Sequence, residues 1–243
     1  MQKRGLRLPM VLLLPLLAGA ADGAKPLPDD TRRNWVLVSD RQQIQVFQQG
    51  GGESGFAIHA TTRFPLPDEY ALVALLDDYP AYPGWLHFVT SVQALKPAED
   101  GARNLRLVTR LPWPLHDREA LLESRVVQTP TPPPGRVTVA LTNRPDLLPP
   151  DPRYVRVPHL RGSLTFQRAE PGQVRVDYRL HLDPGGAIPD WLARLLLRDA
   201  AHFTLRRLGE SVRQPRYQGH YYSSLDLRGP GRPPGVENVT KPQ

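Results

Sequence analysis

Cysteine is absent from all 243 residues. This excludes a disulfide framework, a thiolate-held metal and a cysteine for lipid modification behind a leader. Long apolar runs are nearly absent too. The run over residues 8–17 falls well short of the ~20 residues that cross a bilayer, and no later segment exceeds it. Metal-ligand spacing is missing: His59, His87, His116, His159, His181, His202 and His220 are scattered, with no H-x-x-x-H pair. There is no G-x-S-x-G elbow, and Ser163 falls inside a strand-like run. Asp77 and Asp78 adjoin on a helical segment, where neighbours point ~100° apart and cannot share a substrate, so both are expected to meet solvent. No metal and no cofactor is expected.

The charge balance is equally modest. The formal net charge is +7; Lys3, Arg4 and Arg7 supply three of these in an acid-free leader, which leaves +4 for the remainder. The arginines are spread along strands, as in Arg103, Arg106 and Arg110, and form no basic run interleaved with aromatics. That argues against nucleic acid as a partner and leaves a mild attraction for anionic membrane surfaces. The basic start, the apolar run and the small residues Ala18 and Ala20 read as a secretory signal peptide over residues 1–20. The expected destination is outside the inner membrane: the periplasm, if the source is a Gram-negative bacterium. The remaining length can bury a core without covalent staples.

Residues 43–48 and 56–64 read as two strands turned by Gly50, Gly51, Gly52 and Gly55, hence a hairpin. Those glycines satisfy G-x-G-x-x-G in form, but a dinucleotide loop must open a helix and this one enters a strand. Residues 67–79 carry Leu72, Leu75, Leu76 and Tyr79 at helical spacing, and Pro80 and Pro83 end that helix. Strands follow at residues 89–96, 104–111, 118–128, 136–142, 154–167 and 173–182. The last alternates cleanly, Val174, Val176, Tyr178, Leu180 and Leu182 against Arg175, Asp177, Arg179 and His181. The proline-rich stretches 130–134 and 145–152 are connections, since proline cannot donate to a ladder. Residues 188–209 form a long helix with Ile188, Trp191, Leu192, Leu195, Leu196 and Phe203 on one arc, Arg194, Leu197 and Arg198 opposite, and Asp199 near the middle of the arc. The expected plan is α+β, a curved antiparallel sheet gripping a long C-terminal helix, over residues 21–212. Residues 213–243 are a Gly-, Pro- and Arg-rich tail expected to be disordered.

Two motifs stand out, L-P-W-P-L-H-D-R over residues 111–118 and H-L-D-P-G-G-A-I-P-D-W-L over residues 181–192. Together with the aromatic turn of Tyr79, Pro80 and Trp85, their order resembles the START lipid-transfer family over residues 30–212. The resemblance implies a helix-grip fold whose internal cavity holds one sterol, phospholipid or fatty-acid-like molecule. It further implies a gate made of residues 188–208 and the loop 111–116, no catalytic residue, a monomer and transient contact with a membrane. Trp85, Arg110, Trp113, Arg118, Ile188, Trp191, Leu192, Leu195, Asp199 and Phe203 are the candidate ligand contacts. An ionised Asp199 on an apolar arc calls for a partner, for which Arg110 and Arg118 are the candidates, unless the helix is rotated or frayed so that Asp199 meets water, the reading favoured here. Two rival readings remain: an enzyme of cyclase type, using Asp199, His116 or Asp117 as acid or base, and an adaptor whose core is filled.

Overall fold

In the computed structural model, the described residues are 35–50, 55–66, 68, 70–129, 136–170, 172–222, 225 and 237–238. The leader 1–20, the proline stretch 130–134 and most of the tail lie outside them. Ten strands form one sheet: β1 Val36–Arg41, β2 Ile44–Gly50, β3 Phe56–Pro65, β4 Val89–Ala94, β5 Arg103–Thr109, β6 Arg118–Thr129, β7 Arg136–Asn143, β8 Val155–Arg156, β9 His159–Glu170 and β10 Gln173–Asp183. Their spatial order is β1-β2-β3-β10-β9-β7-β6-β5-β4, with β8 paired to β6. All neighbours are antiparallel except β6 and β8. The helices are α1 Tyr70–Asp77, the short α2 Tyr82–Trp85 and the long α3 Asp190–Ser211.

The expected hairpin of β2 and β3 is present, with Ile44 opposite Thr62 and Gly50 opposite Phe56. Sequence reading missed β1. It joins β2 through a two-residue turn, Gln42 and Gln43, both at positive φ (54° and 62°). Such turns usually announce themselves by Asn-Gly, so a Gln-Gln turn leaves no signal. The single strand expected over residues 154–167 is two, because Pro158 lies between β8 and β9. Pro83 does not exclude helix after α1, because it occupies the first turn of α2, where no donor is required.

Register decides which side chains meet. Val174, Val176, Tyr178, Leu180 and Leu182 of β10 stand across from Phe64, Thr62, Ala60, Ile58 and Phe56 of β3 on the inner face. Under it, Ile44, Val46, Ile58, Phe166, Val176, Leu205, Leu208 and Val212 form the main core with α1 and α2. On the outer face the Asp177 carboxylate meets His59 Nε2 at 3.2 Å and Arg175 Nε at 2.9 Å. Burial pushes that carboxyl up, but hydrogen bonds from His59 and Arg175 and their charges outweigh it and hold it well below the usual carboxylate range. A depressed carboxylate stabilises the fold above its unfolded value of ~3.9, and the contribution is lost as pH falls from there toward the folded value. Asp177→Asn should therefore be less stable than the parent at neutral pH. Urea unfolding of both proteins at a series of pH values should show the difference shrinking below about pH 4.

Past residue 212 the fold continues where a disordered tail was expected. Tyr217 and Tyr222 are buried in the core. The Tyr217 hydroxyl donates to Asp78 Oδ2 at 2.8 Å, and Tyr70 donates to the Leu225 carbonyl at 3.0 Å. His220 and Tyr221 pair in parallel with Glu237 and Asn238. Three tyrosines spread over six residues have no helical or strand period, so their burial was illegible. The same contacts correct the reading of the adjacent aspartates. Asp77 pairs with Arg103 at 2.6 Å and Asp78 with Tyr217, so neither is simply solvated.

Candidate functional site: an apolar cavity under the long helix

Between α3 and the inner face of the sheet lies a cavity of about 190 Å³. Its walls come from β5 and β6 (Leu107, Ala120, Leu122), β10 (Tyr178, Leu180, Leu182) and α3 (Ala193, Leu196, Leu197, Ala200). His87, Thr109, Arg118, Tyr178 and Thr204 are its only polar lining residues among those described. Burial alone pushes the Tyr178 hydroxyl up to about 12, so it stays protonated. The His87 imidazole is pushed below its ordinary value, first by burial and then by the Arg207 charge, with Asp199 opposing. Its backbone N–H donates to Thr204 Oγ1 at 3.1 Å, tying the segment before β4 to α3.

Arg118 is the buried cation of the site. Its Nε donates to the Pro184 carbonyl at 3.3 Å, Nη2 to the Gly185 carbonyl at 3.0 Å and Nη1 to the His116 carbonyl. One side chain thus joins the Pro-Trp-Pro loop to the loop entering α3. The D-P-G-G motif explains itself here. Gly185 and Gly186 both have positive φ (66° and 69°), and Asp183 Oδ1 accepts the Gly185 N–H at 2.9 Å. A Cβ on Gly186 would sit 3.3 Å from Arg118 Nη2, and one on Gly185 3.0 Å from Pro158 Cδ. Only glycine meets both the backbone and the space requirement at this close approach.

Of the expected contacts, Arg118 and Ile188 line the cavity. The other eight do not. Trp85 is buried in the core, its ring centroid 4.8 Å from Tyr82, and Phe203 packs on His87 at 5.0 Å. Arg110 points outward beside Asp117, at 3.9 Å. Trp113 is 93% exposed, at a loop tip with a cis bond to Pro114; Trp191 is 68% exposed and Leu195 37%. Leu192 is half-buried outside the lining. Asp199 pairs with its neighbour Arg198, at 2.9 Å, and not with Arg110 or Arg118.

The misses on α3 share one cause. The helix presents Ala193, Leu196, Leu197, Ala200 and Thr204 to the cavity, a face turned by ~100°, about one residue, from the expected arc. Periodicity ranks bulky residues, whereas a helix lying close over a sheet buries small ones.

The second buried charge cluster lies on the outer face of β6 and was not foreseen. Glu119 is fully buried and accepts from Arg106 Nε at 2.5 Å and from Arg156 Nη2 at 2.6 Å. Arg156 also donates to the carbonyls of Pro145, Leu148 and Pro149, so the proline insert is fastened over the strand that supplies Arg118.

A curved sheet gripping a long C-terminal helix, with an apolar cavity between them, defines the helix-grip class of α+β proteins. The START domain family model matches residues 26–217, most of the chain. The chain belongs to the START domain family. It is 28% identical over 200 residues, 82% of its length and 95% of the relative's, to an uncharacterized protein of Pseudomonas aeruginosa. A STAR-related lipid transfer protein of Xanthomonas axonopodis has a similar structure, with a TM-score of 0.64, 28% identity, and coverage of 74% of this chain and 99% of that one. Human StAR-related lipid transfer protein 5 shares the fold at a TM-score of 0.64 and 17% identity, with 76% and 89% coverage.

Proposed function

We propose that this protein binds one hydrophobic lipid in the cavity beneath α3 and carries it between membranes without chemically altering it. The observation that carries this reading is the cavity: walled mainly by apolar side chains such as Leu, Val and Ala, with few polar groups. Each buried methylene contributes roughly 0.8 kcal/mol, so apolar fit alone supplies affinity. That the Xanthomonas and human relatives are lipid transfer proteins by name supports the same reading.

The cavity is only somewhat larger than the ~150 Å³ apolar cavity that holds one benzene ring. A whole lipid enters only if a wall moves. The gate is the front of α3, not the whole helix. Among residues 190–200 only Ala193 is buried, whereas Ala201, His202, Thr204, Leu205, Leu208 and Gly209 anchor the rear in the core. Trp113 on the loop, with Trp191 and Leu195 on the front of the helix, offers exposed apolar side chains at the end where Arg118 ties the two loops together. We assign them to membrane contact. Secretion to the periplasm is part of the same proposal and rests on the leader over residues 1–20.

Native mass spectrometry of the protein purified from its own compartment, followed by solvent extraction, tests the reading. A lipid at one copy per chain is expected. Protein that arrives empty and takes up no sterol, phospholipid or fatty acid would overturn it. The membrane assignment is tested separately. Trp113→Ala with Trp191→Ala should slow transfer between vesicles by about tenfold or more while leaving equilibrium lipid binding unchanged, because both rings lie outside the cavity.

A further inference from the structure

We infer that the cavity selects a single-chain amphiphile with an anionic head, a carboxylate or a phosphate, which seats against Arg118. The inference rests on the lipid-binding reading and narrows its ligand class.

Arg118 is 5% exposed and is the only charged residue among those described that line the cavity. No carboxylate pairs with it among the described residues. Asp117, next in sequence, adds only a longer-range attraction and lies beside Arg110. Its three hydrogen bonds all go to backbone carbonyls, which are partial charges and leave the cation's full charge unmatched. A guanidinium carries five N–H donors, so one hydrogen on each Nη remains uncommitted. Burial pushes the group below its ordinary value, the direction expected of a cation short of counter-charge.

The contrast with Glu119, one residue along the strand, is informative. There a buried charge of the opposite sign is answered by two arginines. The fold matches buried charge on the outer face of β6 and leaves it unmatched on the cavity face. A ligand anion would supply the missing charge through charge-assisted hydrogen bonds, which are stronger than those to neutral carbonyls. The small cavity volume favours one chain over two.

The test keeps the protein native and changes only the head group. Displacement of a fluorescent fatty-acid probe is measured with palmitic acid, hexadecanol and a lysophosphatidic acid of the same chain. The acids should bind at least about tenfold more tightly than the alcohol. That preference should vanish in buffer acidic enough to protonate palmitic acid. Whichever acid binds more tightly identifies the head as carboxylate or phosphate. Arg118→Gln should reduce the preference and Arg118→Lys should keep part of it, with circular dichroism confirming folded protein. Equal or tighter binding of the alcohol would overturn the inference while leaving lipid binding intact. No binding by any of the three would overturn lipid binding itself.

Discussion

Replacing Glu119 by alanine should cost about 3–5 kcal/mol of folding stability, the largest loss expected from any single surface-free charge in this protein. The carboxylate is fully buried, and both of its oxygens are engaged, one by Arg106 and the other by Arg156. Its removal leaves two guanidinium groups facing each other with little access to water. It also frees Arg156, which holds the proline insert through three carbonyls. In urea, with a slope of ~2 kcal/mol/M, the midpoint should fall by about 2 M. Asp146→Ala is the control. Its pair with Arg144 is exposed, so the midpoint should stay where it is. A Glu119→Ala protein as stable as the parent would mean that the insert and the cluster contribute little, and that β6 is held by its ladder alone.

The second large effect concerns binding. Ala200 lines the cavity from α3. Ala200→Phe puts a ring where a ligand chain would lie. Excluding three or four methylenes at ~0.8 kcal/mol each removes about 3 kcal/mol of affinity, a loss of at least a hundredfold. Stability should change far less, because the ring occupies existing space; any overpacking costs about 1–3 kcal/mol. Titration of a fluorescent lipid, paired with urea unfolding, separates the two. Unchanged lipid affinity in a folded Ala200→Phe protein would mean that the ligand sits elsewhere.

Both effects depend on residues that carry no sequence signal of their own. Glu119 alternates with Arg118 and Ala120 like any polar residue on a half-wet strand. Only the return of β8 beside β6, at Arg118 and Glu119, brings Arg156 over it and turns a wet position into a buried one. Ala200 was overlooked because alanine has little weight in a hydrophobic periodicity, while Trp191 and Leu195 dominated it and proved to be exposed. Arg118 does line the cavity, and it answers loop carbonyls, not Asp199.

By itself the sequence determined the plan of the protein. Alternation at period two, a long run at helical period and prolines between them place most strands and the last helix. The two loop motifs, whose glycines and prolines prescribe backbone shape, indicate the family. Tertiary structure decided which side of α3 meets the cavity, which charges are matched, and that Tyr217 and Tyr222 beyond that helix belong to the core. The physical reason is that a local pattern records the period of an element but not its rotation. Which residues are covered depends on close packing against partners far away in the chain, and that distance is closed only when the sheet curls around the helix.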